Sequence, residues 1–175
     1  MNTNDYLAAF YAGYDEEGRL LTRYGHVEYA TTMRYIHRYL TPVMRILEIG
    51  AGTGRYSHAL AQEGYTVDAV ELLESNIEQF RERTRPGESV TIRQGSACDL
   101  SCFPDNAYDV TLLLGPMYHL FTVEEKLAAL REAIRVTKPG GVIFTAYCMA
   151  DPSILAYGFI QGNVHQLLER ACWIR

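Results

Sequence analysis

Short apolar runs alternate with amphipathic segments between residues 43 and 148. Five of these runs are rich in apolar and β-branched residues and have the length of buried strands, while the segments between them carry apolar residues at helical spacing. The predicted strands cover residues 43–49, 66–70, 89–93, 108–114 and 142–148. Strands that alternate with helices indicate an α/β fold, a doubly wound and mostly parallel sheet with helices on both faces.

Helix boundaries are also marked along the chain. The predicted helices cover residues 5–12, 26–40, 55–62, 153–160 and 164–171, with two more after Ser75 and Thr122. Ser75 with Glu78, and Thr122 with Glu125, have the spacing of capping boxes. The sequence Lys-Pro-Gly-Gly at positions 138–141 predicts the stop of the helix that begins after Thr122.

Glycine occupies every second position directly after the first predicted strand, at Gly50, Gly52 and Gly54. A strand, a glycine turn and a helix N-terminus together predict a nucleotide-type site with backbone N–H groups aimed at the ligand. Positions 55 and 57 are not glycine, so the spacing does not fit the dinucleotide fingerprint. Glu48 precedes the loop, which disfavours a diphosphate and favours a ligand that carries a cation.

Polar residues follow the other predicted strands. Glu71 ends the second strand, where a carboxylate can accept hydrogen bonds from both ribose hydroxyls. Asp99 follows the third strand and either accepts a hydrogen bond from an exocyclic amine or caps its own turn at Ser101. Tyr118 and His119 follow the fourth strand; His119 is a candidate general base, with a structural role left open, and Tyr118 orients a nucleophile or walls the pocket.

Composition and charge narrow the class of protein. The chain has 175 residues, 48% of them apolar, with 16 Lys and Arg against 21 Asp and Glu. The net charge of -5 argues against a nucleic-acid partner. The N-terminus lacks a basic stretch followed by an apolar one, and no apolar run is long enough to cross a bilayer, so a cytoplasmic protein with no membrane partner is predicted. The four cysteines do not have metal-site spacing, and no metal site is predicted.

These features together resemble the class I S-adenosylmethionine-dependent methyltransferases, a Rossmann-like family. The matching segments are Glu48 to Gly54, Glu71, residues 97–99, residues 109–116 and residues 138–141. The resemblance implies S-adenosylmethionine as cofactor, with its methionine moiety at the glycine loop and its ribose at Glu71. It further implies that Cys98 and Asp99 flank the adenine and that Leu114 lies near the cofactor.

The resemblance also implies an organisation of the chain. Residues 1–42 would form a helical cap over the substrate site, residues 43–150 the cofactor-binding core, and residues 151–175 a C-terminal helical segment. The family's sheet normally ends with two further strands, for which no sequence remains here, so the chain is expected to be truncated. The fifth strand would then be an exposed edge, through which two copies are expected to form a homodimer.

The function expected from the resemblance is transfer of a methyl group to an unidentified small-molecule acceptor. A small acceptor is favoured because the sequence has no basic stripe and no appended recognition domain. Two alternatives stay open at this point. One is a cofactor-binding protein without activity, or a methyltransferase inactivated by truncation; the other is a nicotinamide-dependent oxidoreductase, which the glycine spacing disfavours.

Overall fold

The computed structural model describes residues 22–147, 149 and 154–166. The helices are α1 (Arg23–His37), α2 (Arg55–Gln62), α3 (Glu74–Arg83) and α4 (Val123–Val136), with a short 3-10 helix at Pro116–Tyr118 and a π-helix at Ile154–Ile160. The strands are β1 (Arg45–Ile49), β2 (Thr66–Glu71), β3 (Val90–Gln94), β4 (Tyr108–Leu113) and β5 (Thr137–Thr145).

The five strands form one parallel sheet in the order β3-β2-β1-β4-β5. β1 lies at the centre, and Leu47 is paired with Asp68 of β2 on one side and with Thr111 of β4 on the other. The predicted α/β, doubly wound fold is confirmed. Because all strands are parallel, their carboxyl ends lie at one edge of the sheet, where the chain reverses its order between β1 and β4.

Both faces of the sheet are covered, as parallel sheets require. Four of the five residues of β1 are buried, because alternate side chains enter opposite layers. Ile46 packs with Met33 and Ile36 of α1 and with α2 on one face. Leu47 and Ile49 pack with Ala133 and Val136 of α4 on the other face. Helix α1 therefore belongs to the core described here, while the role of residues 1–42 as a cap over the substrate stays a prediction.

Several predicted element bounds are wrong. The helix predicted over residues 26–40 is α1, Arg23–His37, and the strand predicted over residues 142–148 is β5, which begins at Thr137. Two other starts are wrong for local reasons. β1 begins at Arg45 rather than at residue 43, because Val43 is exposed and adopts a φ of +67°, which no strand residue has. α3 begins at Glu74 after Leu73, so Ser75 lies inside the helix and forms no capping box. The other predicted box is confirmed: the Thr122 hydroxyl accepts from the Glu125 N–H at 3.1 Å, and the Glu125 carboxylate accepts from the Thr122 N–H at 3.0 Å.

The Lys-Pro-Gly-Gly segment is a bulge within a strand rather than a turn before one. α4 ends at Val136, and Thr137 already pairs with Tyr108. The next pair joins Val110 to Val142, so residues 138–141 of β5 lie opposite the single residue Asp109 of β4. Gly140 has a φ of +82° and accommodates this irregularity.

β5 lies at the edge of the sheet, as predicted, with β4 as its neighbour. Pairing of this edge with a second copy stays a prediction. The predicted helix over residues 5–12 and most of the segment over 164–171 lie outside the described residues. Among the described helices, none combines the length and apolar character that a membrane span requires.

Candidate functional site

The glycine loop joins β1 to α2, and at Gly52 no other part of the described structure packs against it. The φ values are +70° at Gly50, +56° at Gly52 and +86° at Gly54, and residues other than glycine rarely adopt such values. A Cβ added at Gly50 would lie 2.6 Å from the Pro116 ring, and one at Gly54 would lie 2.3 Å from the Phe80 ring. A Cβ at Gly52 would meet nothing within 4 Å. A ligand can therefore approach the backbone at Gly52, while its neighbours fix the loop to the protein.

Glu48 is buried at the end of β1 and anchors the start of α2. Its Oε2 accepts from the backbone N–H of Ser57 at 2.9 Å and from the Ser57 hydroxyl. Ser57 lies in the first turn of α2, whose N–H groups lack partners within the helix. Burial raises the pKa of Glu48 to about 7; the two Ser57 hydrogen bonds oppose this rise and the Glu71 charge adds to it.

Glu71 joins the glycine loop to the start of α3. Its Oε2 accepts from the Gly52 N–H at 2.9 Å, and its Oε1 accepts from the Leu73 N–H at 3.0 Å and from the Asn76 side-chain amide at 3.2 Å. A carboxylate offers about four acceptor positions. The residue is 7% exposed. The sequence reasoning missed Asn76. The available signal was its position in the first turn of α3, the helix that follows Glu71.

Cys98 and Asp99 lie in the loop after β3, at the same edge of the sheet. The Cys98 N–H donates to the Ser96 hydroxyl at 3.2 Å, and burial raises the pKa of the Cys98 thiol. Asp99 is exposed, and its Oδ1 accepts from the Ser101 N–H at 3.0 Å. Hydrogen bonding from Ser101 holds the pKa of Asp99 below its usual value. Asp99 thus caps its own turn, which is the second of the two roles considered for it.

Two residues of α4 hold this loop in place, and the sequence reasoning missed both. Glu132 accepts from the Leu100 N–H at 2.7 Å. Arg135 donates to the carbonyl oxygens of Leu100 at 2.8 Å and of Phe103 at 3.0 Å, and it binds Glu132 through two hydrogen bonds of 2.8 and 2.7 Å. The signal available was a Glu and an Arg three residues apart, which on a helix usually marks only a surface pair.

The segment after β4 lies beside the glycine loop, because Pro116 packs on Gly50. Leu114 is half-buried and packs against the apolar layer that contains α1 and α2. Tyr118 is exposed and His119 is half-buried, with their ring centroids 6.4 Å apart. The backbone N–H of His119 donates to the Pro116 carbonyl oxygen at 2.9 Å. Both residues therefore follow the carboxyl end of β4, in the segment whose Pro116 packs on the first glycine of the loop.

Comparison with known proteins identifies the family. The family model described as "Methyltransferase domain" matches residues 46–141, more than half of the chain. Over 100 residues the chain is 40% identical to a demethylmenaquinone methyltransferase from Clavibacter sepedonicus, covering 57% of this chain and 39% of that protein. This chain therefore spans less than half the length of that relative.

Two solved structures resemble the fold. The PH0226 protein from Pyrococcus horikoshii OT3 has a TM-score of 0.64 and 25% identity, covering 76% of this chain and 66% of that one. A SAM-dependent methyltransferase from Methanosarcina mazei has a TM-score of 0.59 and 27% identity, covering 63% of this chain and 55% of that one. The chain belongs to the methyltransferase domain family, and the resemblance noted in the sequence is confirmed.

Proposed function

We propose that this member of the methyltransferase domain family binds S-adenosylmethionine at the carboxyl edge of the sheet and transfers its methyl group to a small-molecule acceptor. The observation that carries the proposal is the hydrogen bond between Glu71 and the Gly52 N–H. This bond joins a buried carboxylate to Gly52. Of the three loop glycines, Gly52 is the one whose α-carbon faces open space.

The residues present fit this cofactor. Glu71 would hold the ribose hydroxyls, and the open backbone at Gly52 would face the methionine moiety. Cys98 and Asp99, in the loop held by Arg135, would flank the adenine. A cofactor that carries an ammonium and a sulfonium suits a site with two buried carboxyl groups, Glu48 and Glu71, whose mutual repulsion already contributes to the raised pKa of Glu48.

The chemistry that the cofactor supplies is a methyl group activated by its bond to a positively charged sulfur. The protein then has to align the acceptor with that methyl group and exclude water. Leu114 contributes an apolar wall at the end of β4. His119 would accept the acceptor's proton where the acceptor must lose one to react, and Tyr118 would orient the acceptor beside it.

The acceptor that fits best is an apolar, ring-bearing small molecule. Phe121, Val123 and Leu127 are large apolar residues with exposed side chains, and they follow Tyr118 and His119 directly along the chain to the first turns of α4. Exposed apolar residues grouped beside a candidate site indicate a binding surface. The name of the Clavibacter sepedonicus relative, a demethylmenaquinone methyltransferase, supports a quinol-like acceptor.

Calorimetry with S-adenosylmethionine tests the cofactor, and formation of S-adenosylhomocysteine with a panel of quinols tests the reaction. Glu71→Gln should lose affinity, whereas Glu74→Gln should retain it, because Glu74 is an exposed residue that pairs with Arg81 at 3.1 Å. A folded chain that does not bind S-adenosylmethionine refutes the proposal. Binding without turnover favours the non-catalytic alternative, and tighter binding of a nicotinamide dinucleotide would favour an oxidoreductase.

A further inference from the structure

Arg55 is the cation next to the glycine loop. It directly follows Gly54 as the first residue of α2, and it is half-buried. No other Lys or Arg occurs in residues 46–80 or in residues 94–125, the two stretches that supply the connections after β1, β2, β3 and β4. These stretches therefore contribute one guanidinium group and no ammonium group to the carboxyl edge of the sheet.

The Arg55 side chain is held against helix α1. Its guanidinium carbon lies 4.5 Å from the centre of the Tyr29 ring. The same ring contacts Tyr56, the next residue of α2, with ring centroids 5.1 Å apart. A cation over an aromatic face is attracted by the ring. Burial raises the pKa of the Tyr29 phenol, so the phenol stays uncharged and does not neutralise Arg55. Tyr29 thus restricts the position of the guanidinium and leaves its charge available.

The guanidinium of Arg55 has no acceptor among the described residues. Its one recorded partner there is the Tyr29 ring. The buried carboxyl groups of Glu48 and Glu71 accept hydrogen bonds from other groups of the protein instead. A guanidinium has five N–H donors and binds carboxylates through two of them at once. Arg55 is therefore a positioned cation whose donors are free for a ligand that carries an anionic group.

We propose that Arg55 binds the α-carboxylate of S-adenosylmethionine and that Tyr29 is a positioning residue for its guanidinium. This rests on the proposed function, in which the methionine moiety lies at the glycine loop. That moiety ends in one ammonium group and one carboxylate. Glu48 and Glu71 attract the first and repel the second, whereas Arg55 supplies the opposite charge directly after the loop. Arg55 would thus make the site selective for a ligand with the complete amino-acid moiety.

Two ligands that differ only in the carboxylate test this assignment. Calorimetry compares S-adenosylmethionine with decarboxylated S-adenosylmethionine. We expect the wild type to bind the first at least about tenfold more tightly, because a charge-assisted hydrogen-bonded pair is worth about one to two orders of magnitude in affinity. Arg55→Gln should lose most of this preference through weaker binding of S-adenosylmethionine. Its affinity for the decarboxylated ligand should not fall, since Arg55 has no attractive contact with that ligand.

Further variants test the positioning role and supply the control. Tyr29→Phe keeps the aromatic face and should keep the preference, whereas Tyr29→Leu should reduce it about threefold. Arg38→Gln should bind both ligands like the wild type. It is the matched control because the Arg38 guanidinium also lies 4.5 Å from a tyrosine ring, that of Tyr35, but at the exposed C-terminal end of α1. Circular dichroism establishes that each variant is folded. Arg55→Lys replaces Arg55→Gln where the latter does not fold, and it should lose part of the preference because an ammonium group lacks the planar fork.

The outcomes separate this proposal from the proposed function. Equal loss of affinity for both ligands in Arg55→Gln would indicate a damaged loop rather than a lost carboxylate contact, and it would overturn the assignment. An unchanged preference in Arg55→Gln, or the same change in Arg38→Gln, would overturn it as well. Equal behaviour of Tyr29→Phe and Tyr29→Leu would refute the role of Tyr29. A wild type that binds both ligands equally refutes the role of Arg55 alone, whereas a folded wild type that binds neither refutes the proposed function itself.

Discussion

Substitution of alanine at two glycines of the same loop should separate the stability of the fold from the binding of its cofactor. Gly54→Ala and Gly52→Ala both force a side chain into the left-handed region, with φ values of +86° and +56°, at a cost of about 1–2 kcal/mol each. At Gly54 the new methyl group would also lie 2.3 Å from the buried Phe80 ring. Overpacking of this kind costs about 1–3 kcal/mol more.

The free energy of unfolding should therefore fall by about 2–5 kcal/mol in Gly54→Ala and by about 1–2 kcal/mol in Gly52→Ala. Urea denaturation followed by circular dichroism measures both values. Calorimetry should show the opposite order for binding: Gly52→Ala stays folded but loses at least about tenfold in affinity for S-adenosylmethionine, because its methyl group occupies the open side of the loop. Equal losses of stability would refute the role given to Phe80, and unchanged affinity in Gly52→Ala would refute the location given to the cofactor.

Three further predictions concern single side chains. Glu71→Gln should weaken S-adenosylmethionine binding by about 1–3 kcal/mol in calorimetry, because an amide group replaces an oxygen that accepts charged hydrogen bonds; unchanged affinity would remove Glu71 from the site. His119→Ala should lower kcat about 10²-fold or more with cofactor affinity unchanged, and equal turnover would make His119 structural. Glu48 has a folded-state pKa of about 7 against an ordinary value of 4.5, so its contribution to stability is complete below about pH 4.5 and is lost as the pH rises through 7. As the pH rises from about 5 to about 8, the free energy of unfolding of Glu48→Gln should therefore increase by about 2–4 kcal/mol relative to that of the wild type. Urea denaturation at each pH measures this difference, and parallel pH profiles of the two proteins would contradict the reasoning.

The elements that the sequence predicted well are those whose signals are local. The glycine loop could be predicted because a buried strand, three glycines and a helix follow one another within a dozen residues. The place of Glu71 at the same edge followed from the parallel order of the strands. Its hydrogen bond to Gly52 did not, since the bond depends on how closely β1 and β2 lie, which the chain between them does not encode.

The supporting contacts join residues that are distant in the sequence. Glu88 lies 30 positions from His58, and Glu132 lies 32 positions from Leu100. Each of these polar residues is typical of a solvated helix face or a loop when considered alone. The bulge in β5 was missed for a different reason, because a Pro-Gly-Gly sequence marks a break in regular structure without saying whether a turn or a bulge follows.

The contact between Gly50 and Pro116 has a consequence for how the protein is made. The glycine loop leaves β1 early in the chain, yet the residue that packs on its first glycine follows β4, 66 positions later. During synthesis the loop would emerge from the ribosome well before its support. Pairing of β4 with β1 is a long-range step of the kind that slows folding. A nascent chain would therefore acquire its complete glycine loop only after the segment that contains Pro116 has emerged and docked.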